Sequence, residues 1–140
     1  MQSKKNKKTI FIVDDSNTNL AQAKEVLSDH YKVLTMASAI KLFALLDKIT
    51  PHLILLDVEM PEMDGFEAMK RLQADRNYAT IPVIFLTSHR DAEIEAKCFE
   101  IGAVDFISKP FTAQGLLQRI RTQLNIKELI RERNEQRGTF

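Results

Sequence analysis

The sequence predicts an α/β fold: a five-stranded parallel sheet of strand order 2-1-3-4-5, doubly wound with helices on both faces. Five short apolar runs alternate with five amphipathic segments of helical period, which is the pattern of repeated β-α-β units. Right-handed crossovers place the helices of such units on both faces of the sheet. Polar residues follow four of the five apolar runs directly, and an edge position for the second strand accounts for the exception.

The apolar runs have the length of strands. They cover residues 9–13, 31–36, 53–56, 83–86 and 104–107. The runs at 9–13 and 53–56 are unbroken, as expected of parallel strands that are covered on both faces. The run from Tyr31 alternates instead, which is typical of a strand that is less completely covered.

The segments between the runs have the caps and breaks of helices. We predict helices over residues 19–29, from Ser38 to the break at Pro51, from Asp64 onward, over 91–100 and over 112–133. Ser38 and Asp64 are the expected N-caps, and Gly102 is the expected C-cap of the fourth helix. In the second helix, Ile40 and Phe43 belong to the apolar set that sets its helical period.

Length and composition fit one globular domain. The chain has 140 residues, of which 44% are hydrophobic and 28% charged. We expect a flexible lysine-rich arm over residues 1–8 and the folded domain over 9–125. Residues 126–140 would form a helical extension or a linker toward an output domain, because Ile126, Leu129 and Ile130 make a narrow apolar stripe among charges.

Charge and cysteine content narrow the function classes. The net charge of +1 gives no reason to expect direct binding to nucleic acid or to a membrane. No apolar run approaches the roughly 18 residues that span a bilayer. Cys98 is the only cysteine, so an internal disulfide is excluded, and a buried thiol in a reducing cytoplasm is the expectation.

Polar residues gather at the carboxyl ends of the predicted strands. Asp14 and Asp15 follow the first strand, Asp57 follows the third, Thr87 follows the fourth and Lys109 follows the fifth. The carboxyl ends of parallel strands form the edge at which open sheets bind ligands, so these side chains are expected to converge on one crevice.

The residue types at this edge are those that phosphoryl transfer requires. Three neighbouring carboxylates repel one another unless a proton or a cation intervenes. Their hard oxygen atoms suit Mg²⁺, Lys109 supplies positive charge, and the Thr87 hydroxyl can donate to an acceptor oxygen. A carboxylate nucleophile, a divalent cation, a lysine and a hydroxyl donor together favour an aspartyl-phosphate chemistry.

The motifs resemble those of the receiver domains of response regulators from bacterial two-component signalling systems. The resemblance covers residues 9–124. Its motifs, in the family's order and spacing, lie at residues 12–15, 55–65, 86–88 and 102–111. It implies a phosphoprotein of the phosphorelay type, in which Asp57 receives a phosphoryl group in a Mg²⁺-dependent reaction.

The same resemblance assigns the metal ligands. Asp15 would bind Mg²⁺ directly, Asp14 would bind it through water, and Asp57 would belong to the same set of ligands. The backbone carbonyl of Glu59 would complete the protein's share of the ligands.

Further roles at the crevice are also implied by the resemblance. Thr87 and Lys109 would contact the phosphoryl oxygens and act with Asp57 in its chemistry, and Phe106 would turn inward when Thr87 is drawn to the phosphate. Glu59 and His89 would tune the lifetime of the phosphoryl group, although His89 could equally be an exposed bystander. The Lys109–Pro110 bond would be cis, as is typical of the family.

The resemblance implies partners as well. A sensor histidine kinase or a histidine phosphotransfer protein would supply the phosphoryl group, and a small phosphodonor could replace it. The surface of helix four, strand five and helix five would then control a partner or a C-terminal output domain of cyclic-dinucleotide-enzyme or kinase type, and would allow a homodimer. Such a chain is a signalling domain and not an enzyme, since it catalyses only its own phosphorylation and dephosphorylation.

Three other classes fit the sequence less well. A haloacid-dehalogenase-like phosphatase needs an aspartate two residues after its nucleophile, where this chain has Glu59. A nucleotide- or flavin-binding module needs a glycine-rich loop after the first strand, where this chain has Asp14 and Asp15, whose charges repel phosphate. A degenerate receiver would lack one of the essential residues, and all of them are present.

Overall fold

The computed structural model describes residues 7–89 and 91–138, so most of the predicted lysine-rich arm lies outside the described residues. Its strands are β1 (Thr9–Val13), β2 (Lys32–Met36), β3 (Leu53–Asp57), β4 (Val83–Thr87) and β5 (Asp105–Ser108). They form one sheet of order β2-β1-β3-β4-β5, and every neighbouring pair is parallel. The predicted fold class and strand order are confirmed.

Five helices connect and follow the strands. They are α1 (Asn17–Leu27), α2 (Ala39–Leu46), α3 (Gly65–Ala74), α4 (Ala92–Glu100) and α5 (Ala113–Gly138). α2, α3 and α4 cover one face of the sheet, while α1 and α5 cover the other. Among the described residues, no helix combines the length and the apolarity needed to cross a membrane.

Side-chain caps fix where the helices begin. Ser38, Asp64 and Asp91 each accept a hydrogen bond from the backbone N–H three residues later. α1 begins at Asn17, two residues before the predicted start, because Ser16 is its N-cap and accepts the N–H of Asn19. The predicted start of α1 was therefore too late. Because the helix begins at Asn17, its first turn lies closer to Asp14 than predicted.

Alternation along the strands divides the core into two layers. Phe11, Ile54 and Phe85 point toward α2, α3 and α4, whereas Ile10 and Leu55 point toward α1 and α5. All five are fully buried. Each such side chain contributes about 1.5–3 kcal/mol by leaving water, so both layers are needed to keep the sheet rigid beneath its carboxyl edge.

The predicted apolar face of α2 needs a correction. Ile40 is 58% exposed, whereas Leu42 is fully buried and Leu46 nearly so. Leu42 lies three positions after Ala39 and Leu46 four positions after Leu42, which is the spacing of one helix face. These three residues form the buried stripe, and Ile40 lies to one side of it. The predicted burial of Cys98 is confirmed.

Two glycines occupy places that a side chain would disturb. A Cβ on Gly65 would lie 2.3 Å from the carbonyl oxygen of Asp57, so α3 can start against the end of β3 only with glycine there. Gly102 follows α4 with φ +107°, the left-handed conformation expected of the predicted C-cap. The Lys109–Pro110 bond is cis, as expected.

The far half of α5 contacts the amino-terminal edge of the sheet. Lys127 donates to the backbone carbonyl of Thr80, and Glu128 lies 3.7 Å from the ammonium of Lys8. Beyond these contacts Leu129 and Ile130 are 65% and 55% exposed. The helix continues without a break past residue 125, and the division of the chain at that point stays a prediction.

His52 generates a prediction about the pH dependence of folding. Its Nδ1 accepts the N–H of Thr9 at 3.0 Å, which joins the starts of β1 and β3. Burial, and then the charge of Lys8, hold the pKa of His52 below its ordinary value. The unfolded chain therefore binds a proton more readily than the folded one, and stability falls as pH drops below about 6.5.

His52→Asn keeps an acceptor for Thr9 but cannot take up the proton, so its stability should fall less than that of the wild type between about pH 7.5 and pH 5.5. The difference should stay under about 1 kcal/mol, because solvent screens this partly exposed ring. Urea unfolding at both pH values measures it, with His30→Asn as a control for loss of a histidine. Equal pH dependence of the wild type and His52→Asn would contradict the prediction.

Candidate functional site

Three carboxylates meet at the carboxyl edge of the sheet. Asp14 and Asp15 follow β1, and Asp57 ends β3, the strand that pairs directly with β1. One oxygen of each carboxylate lies within 4.8 Å of the others. Asp14 is fully buried and Asp57 is 2% exposed, whereas Asp15 faces solvent. The sheet therefore brings the predicted acidic residues into one crevice.

Asp14 is held by three donors. The N–H of Ser16 donates to its Oδ1 at 2.9 Å, and its Oδ2 accepts from the Asn19 side chain at 3.3 Å. The Lys109 ammonium donates to the same Oδ2 at 3.1 Å. A buried carboxylate with donors on both oxygens is fixed in orientation, so Asp14 holds a set position beside Asp57.

Lys109 joins the two buried carboxylates. Its Nζ is 3.1 Å from Asp14 and 3.0 Å from Asp57, and its side chain is only 13% exposed. Burial favours the neutral amine, but hydrogen bonds and the charges of Asp57 and Asp14 outweigh it and raise the pKa of Lys109. Lys109 is therefore a fixed cation at the mouth of the crevice.

One lysine does not neutralise the site. Burial, followed by the charge of Asp14, raises the pKa of Asp57 to about 7, although Lys109 opposes the shift. The raised pKa favours the protonated carboxyl, and a protonated carboxyl is a poor nucleophile. A further positive charge beside the carboxylates would lower this pKa and keep Asp57 ionised.

The donor set fits a magnesium ion. Asp14, Asp15 and Asp57 offer carboxylate oxygens, and neither cysteine nor histidine belongs to the cluster. Mg²⁺ prefers such hard donors and binds to few of them, keeping several waters. Glu59 lines the same crevice, and its N–H donates to Oδ1 of Asp57 at 3.3 Å. The chemistry of the residues present therefore agrees with the expected cofactor.

Thr87 ends β4 beside Asp57 and is 1% exposed. Its hydroxyl accepts the N–H of His89 at 3.0 Å and donates to the His89 carbonyl at 3.3 Å. In this arrangement the hydroxyl is occupied by the loop that follows its own strand. The backbone carbonyl of Thr87 accepts the N–H of Lys109 at 2.8 Å, which couples the ends of β4 and β5.

Glu59 and His89, the two residues expected to tune the phosphoryl lifetime, contact each other. The Nε2 of His89 pairs with a carboxylate oxygen of Glu59, and the two side chains are 50% and 64% exposed. They form a polar contact at the rim of the crevice, between the loops that follow β3 and β4. His89 is thus half exposed but is tied to a residue that lines the site.

Phe106 lies on β5, one strand further out. It is partly buried against the α2–α4 layer, and its ring packs edge to face on Phe99 of α4. The register pairs Phe106 with Phe85 of β4, two residues before Thr87. Phe106 is therefore near Thr87 along the sheet without touching the carboxylates.

The residues that line the crevice include some that sequence reasoning missed, among them Ser16, Asn19 and Lys97. Ser16 was recognisable as a serine directly before a helical segment. Asn19 and Lys97 carried no such local sign, because their places depend on how α1 and α4 pack. The Lys97 ammonium lies over the ring of Phe66, 4.5 Å from its centroid. The crevice that these residues help to enclose has a volume of about 790 Å³.

The chain is similar, over most of its length, to parts of two longer proteins. It is 38% identical over 119 residues to a probable cyclic di-GMP phosphodiesterase of Vibrio cholerae, covering 85% of this chain and 27% of that protein. It is 30% identical over 123 residues to hybrid signal transduction histidine kinase D of Dictyostelium discoideum, covering 88% of this chain and 8% of that protein. The chain thus spans only a small part of these relatives.

A solved structure and a family model agree with these relatives. A putative response regulator from Chloroflexus aurantiacus superimposes with a TM-score of 0.82 at 31% identity, covering 86% of this chain and 99% of that one. The model of the response regulator receiver domain matches residues 10–121. With the sheet order and the acidic crevice described above, this match shows that the chain belongs to the response regulator receiver domain family.

Proposed function

We propose that Asp57 is the phosphoacceptor of this receiver domain and that it takes a phosphoryl group in a Mg²⁺-dependent reaction. The observation that carries the proposal is the position of Asp57. It is buried, it lies within 4.8 Å of two further carboxylates, and it is 3.0 Å from the ammonium of Lys109. A catalysed transfer to a carboxylate needs a positioned nucleophile and local positive charge, and this crevice offers both.

The reaction is a displacement at phosphorus. An ionised oxygen of Asp57 attacks the phosphorus of a phosphohistidine, the bond from phosphorus to the imidazole nitrogen breaks, and the electron pair leaves with that nitrogen. With acetyl phosphate the broken bond joins phosphorus to oxygen, and acetate leaves. Lys109 already contacts Asp57, so its ammonium can follow the charge onto the phosphoryl oxygens.

Asp15, Asp57 and the carbonyl of Glu59 would hold the Mg²⁺, with Asp14 acting through water. When bound, the ion would neutralise charge on the phosphoryl oxygens and lower the pKa of Asp57. Ser16 and Asn19 support this arrangement because they keep the Asp14 carboxylate oriented from the start of α1.

Thr87 would carry the effect of phosphorylation from Asp57 to the loop after β4 and to Phe106. A phosphoryl group adds up to about two negative charges and three acceptor oxygens. The Thr87 hydroxyl would then exchange the His89 backbone for a stronger acceptor, the loop after β4 would move, and Phe106 would turn into the vacated space. Phosphorylation in this account only biases two arrangements that already exist, and the face of α4, β5 and α5 differs between them.

We propose partners that fit a signalling domain. A sensor histidine kinase or a histidine phosphotransfer protein would supply the phosphoryl group in the cytoplasm, where the single Cys98 would stay reduced. The switched face would control an output domain of cyclic-dinucleotide-enzyme or kinase type, since relatives of this chain carry those names, or it would pair two copies of the domain. We expect catalysis to be limited to the domain's own phosphoryl group.

Incubation with acetyl phosphate and Mg²⁺ tests the phosphoacceptor directly. The intact mass should rise by one phosphoryl group, and the gain should disappear when Asp57→Ala is treated in the same way. Asp64→Ala is the matched control, because Asp64 lines the crevice but serves as the N-cap of α3. A stable gain of mass in Asp57→Ala, or no gain in the folded wild type, would overturn the assignment.

Magnesium should stabilise the folded domain. At about ten times its dissociation constant the ion should add about 1.4 kcal/mol, a rise of roughly 5 °C in the unfolding midpoint. Asp15→Asn should remove most of this rise, because a neutral amide is a weaker ligand. Thermal unfolding with Mg²⁺ or with EDTA measures the effect, and an undiminished rise in Asp15→Asn would place the ion elsewhere.

Glu59→Gln should change the rate at which phosphorylated Asp57 hydrolyses. The substitution removes a negative charge beside His89 at the rim, where water must approach. We expect a change of about two- to fivefold, the size of a weak exposed electrostatic contact. Loss of the phosphoryl mass over time is the measurement, and unchanged decay would show that this contact does not set the lifetime.

A further inference from the structure

Phe99 is a large apolar side chain with an unusual position. It lies in the last turn of α4, is 49% exposed, and packs its ring on Phe106. The ring centroids are 5.6 Å apart and the planes meet at 74°, the edge-to-face geometry that aromatic pairs prefer. This contact joins α4 to β5 on the face that the proposed switch would alter.

We propose that Phe99 is a positioning residue of the switch, whose ring holds Phe106 in its outward place and thereby opposes activation. The inference rests on the proposed function, because it names the contact that opposes the inward turn of Phe106 after phosphorylation. An inward turn would carry the edge of the Phe106 ring away from Phe99. Every inward turn therefore costs this contact.

The hydrogen bonds of the Thr87 hydroxyl agree with an outward position of the Phe106 ring. The Thr87 hydroxyl is occupied by both backbone groups of His89, so the loop after β4 holds the place that it would leave on activation. Phe106 is meanwhile only partly buried and lies on Phe99. Both observations belong to one arrangement, the one expected before phosphorylation.

The backbone around Phe106 is anchored independently of its ring. Arg119 of α5 donates to both carboxylate oxygens of Asp105, at 2.9 and 2.8 Å. Asp105 Oδ1 also accepts the N–H of Phe106 at 2.8 Å. With the backbone held in this way, the motion required of Phe106 is a side-chain rotation, and the neighbours of the ring decide its preferred rotamer.

α4 depends on few contacts of this kind. Cys98 is its one fully buried residue, and Ile94 is only partly buried. The Phe99–Phe106 pair is therefore one of the contacts that attach the end of α4 to the sheet, together with Cys98 and Ile101. Breaking the pair frees both the aromatic switch and the helix that the partner would sense.

The expected size of the effect follows from aromatic pairs in other proteins. Such a pair biases an equilibrium by a factor of about two to ten. A ligand that binds only the inward state has its apparent affinity lowered by the small population of that state. Removing Phe99 should raise this population, and binding should tighten by the same factor.

Beryllofluoride with Mg²⁺, a mimic of the phosphoryl group, is the probe. We expect Phe99→Ala to bind it about two- to tenfold more tightly than the wild type, as measured by calorimetry. Phe99→Tyr keeps the ring and should bind as the wild type does. Ile40→Ala, which removes a similarly exposed apolar side chain from α2, is the control for loss of surface and should have no effect.

A double-mutant cycle decides whether Phe99 acts through Phe106. In the Phe106→Ala background, Phe99→Ala should no longer change the affinity, because the ring that it holds is gone. Equal affinity of Phe99→Ala and wild type, or the same gain with and without Phe106, overturns the inference. Should Phe99→Ala lose helix content by circular dichroism, Phe99→Leu keeps apolar volume without the aromatic edge and is subject to the same comparison.

The same titration distinguishes failure of the proposed function from failure of the role proposed for Phe99. Binding of beryllofluoride to the wild type and not to Asp57→Ala supports the proposed function whatever Phe99 does. If the wild type does not bind the probe, the proposed function fails, and the role of Phe99 fails with it. If the wild type binds and Phe99 has no effect, only the role of Phe99 is wrong.

Discussion

Repulsion among the carboxylates of Asp14, Asp15 and Asp57 is the constraint on which the rest of this domain depends. The sheet order makes it unavoidable, because β1 and β3 are neighbours and end at the same edge. Lys109 relieves part of the repulsion, but burial of Asp57, followed by the charge of Asp14, outweighs Lys109 and keeps the pKa of Asp57 raised. The folded state thus contains a place for additional positive charge, and a rigid two-layer core keeps that place from collapsing.

The crowding of the carboxylates also links the site at Asp57 to the strands β4 and β5. Lys109 and Thr87 stand at the ends of β5 and β4, and a backbone hydrogen bond joins them. In the structure, Lys109 binds carboxylates and Thr87 binds the loop after its strand. Adding charge at Asp57 offers both residues a better acceptor, so a local electrostatic change would be felt at the outer strands. Phe106 and Phe99 lie where that change would reach the surface.

Local sequence patterns account for most of the fold. Strand periodicity, the caps Ser38 and Asp64, and the polar residues at strand ends were sufficient for the sheet order and the clustering of the acidic residues. The errors arose where packing between elements decides. Ile40 is exposed because α2 buries the stripe that begins at Ala39, and the place of Asn19 depends on the earlier start of α1. The contact of Phe99 with Phe106 is likewise tertiary, since Phe106 lies seven positions later in the chain and in a different element, β5.

The most direct test of the account is to locate the cation. A crystal grown with Mn²⁺ and beryllofluoride, measured at a wavelength where manganese scatters anomalously, would show the ion without assumptions about its ligands. We expect one peak in the crevice, about 2 Å from carboxylate oxygens of Asp15 and Asp57. An ordered crevice without a peak, or a peak bound only by other residues, would contradict the claim that these crowded carboxylates exist to hold a divalent cation beside the phosphoacceptor.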